Sequence, residues 1–140
     1  MQVLVRKGCV AMGTSTPAEV VNEYLSSFYS GDFTRAAATL AANFSFQGPF
    51  LRVEGRDGFL NGAQGLRPAV RGHRLLRQWR DGDEVCSIYE VDLHTPAGSG
   101  SVVMSEWHTV RGGQLASGRV VFDTAPFRAL MPARQDAASR

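Results

Sequence analysis

Apolar residues recur at Val20, Val21, Tyr24, Leu25 and Phe28, the i, i+3, i+4 rhythm that lays one apolar stripe along a helix. Ahead of it, Thr16 is placed to act as N-cap, Pro17 as first helical residue and Glu19 as the N3 member of a capping box. Gly31 ends this helix. Asp32 can cap a second, whose ladder carries Phe33, Ala36, Ala37, Leu40 and Ala41 and closes at Asn43. A short strand is expected over Phe44-Ser45-Phe46-Gln47, stopped by Gly48-Pro49. Gly55-Arg56-Asp57 then opens a brief helix through Phe59 and Leu60.

From residue 73 the texture changes to four strands, over about 73–80, 84–94, 101–110 and 114–123. Their separators, Asp81-Gly82-Asp83, Pro96-Ala97-Gly98-Ser99-Gly100 and Arg111-Gly112-Gly113, are short and contain glycine. A parallel crossover needs about a dozen residues or more, so these strands should be antiparallel neighbours. Helices first and a meander afterwards predict an α+β fold, N-terminal helices packed on a curved, mostly antiparallel sheet around an apolar pocket. The domain is expected over 14–131, between a flexible N-terminal extension (1–13) and a flexible C-terminal tail (132–140).

The two long middle strands do not alternate cleanly. Val85, Tyr89, Val91 and Leu93 share one parity, against Cys86, Ile88, Glu90, Asp92 and His94 on the other. The next strand sets Val103, Ser105 and Trp107 against Met104, Glu106 and His108. Both sheet faces should therefore be covered. Two helices can cover one, and the other predicts a homodimer packed through the sheet.

Composition narrows the function classes. With 140 residues the chain suits one domain, and 44% hydrophobic with 20% charged residues is an ordinary globular balance. A net charge of +2, with basic residues scattered, supplies no phosphate-tracking stripe, so nucleic acid is not an expected partner. No apolar run approaches the roughly 18–20 residues of a membrane span, and Arg6 and Lys7 interrupt the N-terminal apolar stretch, which does not read as a secretory signal. Cys9 and Cys86 have neither disulfide-framework nor metal-ligand spacing, which predicts free thiols in a reducing cytoplasm. The three histidines lack HxH or HxxxH spacing, and neither a metal nor another cofactor is expected.

The candidate chemistry lies on the strands. Glu90 and Asp92 would stand about 7 Å apart on one face. Facing a cavity, desolvation and like charge would prepare one of them as a general acid or base. His108 shares a face with Glu106 and could meet His94 or Asp92 across the hairpin, a His–carboxylate base assembly. Tyr24, Phe44, Phe46, Phe59, Trp79, Trp107 and Phe122 are expected to furnish an aromatic cavity wall, with the Tyr24 phenol offering its proton to a ligand oxygen.

Several stretches in this order resemble the NTF2-like superfamily of cone-shaped α+β folds. They are Glu19–Asp32 with Gly31-Asp32 between the helices, Phe44–Pro49, Gly55-Arg56-Asp57-Gly58, and Gly112-Gly113 before a last strand ending at Phe122-Asp123. The superfamily includes SnoaL-like polyketide cyclases, limonene-epoxide hydrolases and ketosteroid isomerases. Against the isomerases, Tyr24 matches the oxyanion tyrosine, but the base position falls on Gly48 and the second oxyanion acid near Trp107. Against the epoxide hydrolases, the Asp–Arg–Asp set falls on Ile88 and Glu90, or on Glu90 and Asp92, and on Val120. The resemblance therefore implies a cofactor-independent SnoaL-like enzyme (cyclase, isomerase, lyase or hydrolase) acting on a small, largely apolar molecule, with Glu90, Asp92 and His108 as catalytic candidates. The alternative is a non-catalytic binding or dimerisation module on the same fold.

Overall fold

The computed structural model describes residues 15–131, so the expected extension, tail and Cys9 lie outside the described residues. The first helix, α1 (Pro17–Ser30), starts where the capping box places it. The Glu19 amide donates to Thr16 Oγ1 at 3.2 Å and the Thr16 amide donates to Glu19 Oε1 at 2.9 Å. Gly31 closes the helix at φ 85°, a left-handed conformation open to glycine at no steric cost.

The second helix, α2 (Phe33–Thr39), is shorter than its alanine ladder suggests. Leu40, Ala41 and Ala42 belong instead to β1 (Leu40–Gln47), because Leu40 pairs with Leu115 of the last strand and is fully buried there. Tertiary pairing overrides helix propensity at this point. β2 (Arg52–Glu54), α3 (Arg56–Ala63) and a 3₁₀ turn (Arg67–Ala69) follow. The meander then runs β3 (Val70–Asp81), β4 (Glu84–Thr95), β5 (Gly98–Arg111) and β6 (Gln114–Phe122). A last helix, α4 (Thr124–Leu130), capped by Asp123, is an element the hydrophobic pattern does not announce; nor does it announce β2.

The six strands form one sheet in the order β2-β1-β6-β5-β4-β3. Every pairing is antiparallel except β1 with β6. The β4–β5 turn is tighter than its five-residue separator suggests. Thr95 pairs with Gly98, so only Pro96 and Ala97 form the turn and the register along the hairpin follows from it.

That register sorts the side chains into an inner face against α1 and an outer face that no helix covers among the described residues. The inner face takes Val85, Ser87, Tyr89, Val91 and Leu93 from β4, with Val102, Met104, Glu106, His108 and Val110 from β5, all buried. Val21, Leu25, Phe44 and Leu115 complete the core. Among the described residues, no helix is long and apolar enough to cross a membrane.

Candidate functional site

Between α1, α3, α4 and the inner sheet face lies a cavity of about 110 Å³. Its wall is a continuous aromatic surface, Phe28, Phe46, Phe50, Phe59, Phe122 and Phe127, with the Gly48–Leu51 loop at its rim. Phe28 and Phe59 stack at 5.7 Å between ring centroids, and Phe46 leans on Phe59 at 4.8 Å. α4 contributes Phe127, which packs on Phe50 and Phe122 at 5.4 Å each.

One end of this apolar space is polar. All three tyrosines of the chain, Tyr24, Tyr29 and Tyr89, line it together with the carboxyl of Glu106. The Tyr89 hydroxyl donates to Glu106 Oε1 at 2.6 Å. Its single proton being used there, its oxygen accepts from Tyr29, whose hydroxyl lies 3.0 Å away. The Tyr24 hydroxyl has no hydrogen-bond partner among the described residues. Burial, and after it the neighbouring Glu106, pushes the ionisation of all three phenols well above the usual tyrosine range. They keep their protons and act as donors.

His108 stands behind Glu106 and is fully buried, outside the cavity wall. Its Nε2 lies 3.2 Å from Glu106 Oε2, but off the N–H direction, so neither ring nitrogen has a hydrogen-bond partner. A buried polar atom left unpaired costs about 1–3 kcal/mol.

The structure divides the sequence-derived candidates. Tyr24, Phe46, Phe59 and Phe122 line the cavity. Phe44 lies behind the wall, fully buried and edge-on to Phe59 at 5.2 Å. Trp79 and Trp107 are corrections: both project from the outer face, 53% and 38% exposed. Glu90 and Asp92 are corrections as well. They lie on the outer face, where Arg74 pairs with Glu90 and, at 3.3 Å, with Asp92, and Ser101 Oγ donates to Asp92 at 2.7 Å. The physical reason is parity, since Val85, Tyr89, Val91 and Leu93 fill the inner face and leave the charged set outside with its arginine. His108 meets neither His94 nor Asp92, because in register it stands between Val85 and Gly118, while His94 Nδ1 lies 2.5 Å from Ser99 Oγ.

Three polar residues lining the cavity were not singled out as site residues by sequence reasoning: Glu106, Tyr29 and Tyr89. The available signal was the apolar parity of β4, which places Tyr89 inside and, through the Tyr89↔Met104 pairing, turns Met104, Glu106 and His108 inward. The positions aligned with relatives shift accordingly. Gly48 and Val120 do line the cavity, Trp107 does not, and its chain neighbour Glu106 does. The cavity side of β4 offers Ser87 and Tyr89 rather than Ile88 and Glu90. Among the described residues no group of three or more His, Cys, Asp or Glu side chains is arranged to hold a metal ion.

This architecture, helices over the inner face of a six-stranded mostly antiparallel sheet, is the NTF2-like fold. The chain belongs to the SnoaL-like domain family, whose model matches residues 21–118. An NTF2-like protein of unknown function from Cytophaga hutchinsonii superposes with a TM-score of 0.68 at 23% identity, over 80% of this chain and 94% of its own. An LEH-like epoxide hydrolase from M. tuberculosis gives 0.71 at 19% identity, over 88% and 93%. TerC, crystallised with polyporic acid, gives 0.73 at 17% identity, over 84% and 99%. At these identities the likeness is one of fold, and the site must speak for itself. No curated protein sequence matches the chain.

Proposed function

We propose that this SnoaL-like domain is a cytoplasmic, cofactor-independent enzyme, a cyclase, isomerase, lyase or hydrolase, acting on a small, largely apolar molecule with Glu106 as its acid–base carboxyl. One observation carries the reading. A single carboxyl, 2% exposed, faces an otherwise aromatic cavity and is held there by the Tyr89 phenol. General acid–base work needs such a group at a water-poor surface within reach of the ligand. Tyr24, whose proton is retained, supplies a donor for a ligand oxygen. The chemistry this set suits is proton transfer beside a carbonyl. Glu106 takes the carbon-bound proton, the electron pair moves onto the carbonyl oxygen facing Tyr24, and Glu106 returns the proton at the same or another carbon. The compartment rests on Cys86, a free, half-buried thiol suited to a reducing environment.

The test is a thermal-shift screen against apolar ring ketones and epoxides, followed by turnover of any stabilising compound by wild type and Glu106→Gln. Turnover should fall by about 10²–10⁴-fold with binding retained. Equal turnover by the variant would remove Glu106 from the mechanism. One observation favours the second reading, a non-catalytic binding module: among the described residues Glu106 is the only charged side chain in the cavity wall. Stabilising ligands that are never converted would establish that reading instead.

The outer face is proposed to pair with a second copy of the chain. Val103, Val121, Trp79 and Trp107 are 38–53% exposed on it, a large apolar area for a sheet face that no helix covers among the described residues. Its ends differ in charge. Glu90 and Asp92, sharing Arg74, lie beside Val103 and Ser101, while Arg119 covers the Trp107 ring at 5.4 Å, about 13–20 Å further along β5. A two-fold axis through the face sets the acidic end of one copy on the arginine end of the other.

A further inference from the structure

Glu106 presents its two oxygens in two directions. Oε1 accepts from Tyr89 inside the cavity wall, and Oε2 lies 3.2 Å from His108 Nε2 behind it. His108 does not reach the cavity, so it cannot touch a ligand held there. Its imidazole is enclosed all the same. Tyr24 meets it edge-on at 5.3 Å between centroids. On the β6 side stands Gly118, where an added Cβ would lie 2.9 Å from His108 Cδ2 and 3.1 Å from its Nε2.

Gly118 needs explaining. A glycine inside a strand gives up side-chain packing and conformational entropy. The glycines with positive φ are Gly31, Gly55, Gly82, Gly98, Gly112 and Gly113, so Gly118 is not required for its backbone conformation. What the missing side chain leaves is room, taken by the edge of His108 and by Phe44 Cζ at 3.2 Å.

We infer that Gly118 and His108 form a backstop for Glu106: the absent Cβ admits the imidazole behind the carboxyl, and the imidazole holds Oε2 and thereby the direction in which Glu106 faces the cavity. A small rotation brings the Nε2 proton onto Oε2, which pairs the orphaned nitrogen. His108 is a positioning residue in this arrangement and Gly118 is the position that permits it. The functional meaning rests on the reading of Glu106 as the reacting carboxyl, but the physical coupling stands without it.

Two measurements need no substrate. In ¹⁵N-labelled protein, long-range ¹H–¹⁵N correlation reads the His108 ring nitrogens directly. Glu106→Gln should move the Nε2 resonance, and Glu90→Gln on the outer face should leave it in place. A Nε2 resonance indifferent to Glu106→Gln overturns the proposal. Second, Gly118→Ala should lower the melting temperature in the wild-type background and lower it much less alongside His108→Ala, which vacates the contested space. An equal loss in both backgrounds assigns the glycine to Phe44 and overturns its role here. Should Gly118→Ala fail to fold, the nitrogen measurement decides alone. If both couplings are found but Glu106→Gln turns over normally, the backstop stands and the catalytic reading falls. If Glu106→Gln loses turnover while His108 ignores it, the reverse holds.

Discussion

Glu106 and Trp107 are neighbours in the chain and stand on opposite faces of the sheet, one 2% exposed at the end of an aromatic cavity, the other 38% exposed on the outer surface. The first belongs to the candidate chemistry and the second to the surface offered to another copy.

The phenol network should be visible in alkali. Tyr24, Tyr29 and Tyr89 all have folded-state ionisation raised above the ordinary value of 10.0, by burial first and Glu106 second. Raised acids bind their protons more tightly in the folded than in the unfolded chain. Their contribution to stability is therefore fully present below pH 10 and is lost as pH rises beyond it. Because these are the only tyrosines, absorbance at 295 nm reads this cluster alone. Phenolate should appear together with loss of structure by circular dichroism. Reversible phenolate formation near pH 10 in folded protein would contradict the packing described.

Tyr89→Phe removes the donor that holds Glu106 Oε1. A buried acceptor left without its donor costs about 1–3 kcal/mol, measurable by urea denaturation. Tyr29→Phe, one bond further from the carboxyl, should cost less, about 0.5–1.5 kcal/mol. A Tyr89→Phe variant as stable as wild type would mean that the phenol does not support Glu106.

Glu90→Gln and Asp92→Asn should leave ligand-induced thermal shifts unchanged. Both carboxylates lie on the far side of the sheet, paired with an arginine that is 55% exposed. Exposed pairs of this kind contribute about 0–1 kcal/mol, so stability should change little. Loss of ligand response in either variant would return them to the site.

Sedimentation should find a dimer at micromolar concentration, and Val103→Arg should convert it to a monomer. Val103 is 50% exposed on the outer face, opposite Glu90 in register. In the proposed two-fold arrangement each new guanidinium would be buried against the Arg119 end of the other copy, like charge on like charge, which is strongly unfavourable. A wild-type monomer at that concentration would remove the interface.

Much of this protein is local and was legible as such. Thr16, Pro17 and Glu19 specify where α1 begins, since a capping box is satisfied within four residues. Gly31 ends the helix for an equally local reason, and the meander follows from turns too short for a crossover. Two-residue periodicity also sorted each strand into faces. What periodicity left open was which face of β5 belongs with which face of β4, and there the whole site turns. Counted as a five-residue loop, the Pro96–Gly100 stretch leaves the register undetermined, and Glu90 and Asp92 stand as candidates beside His108. Folded as a two-residue turn, it sets Tyr89 against Met104 and sends Glu106 and His108 inward. A slip of one residue would exchange the faces of an entire strand. Helix α1 and the four-stranded meander were carried by the sequence itself, because each rests on contacts close along the chain, whereas α4, β2 and the start of β1 at Leu40 were not. The inward placement of the Glu106 carboxyl was decided only by tertiary packing, because burying the Val85, Tyr89, Val91 and Leu93 face against α1 excludes any register that exchanges the faces.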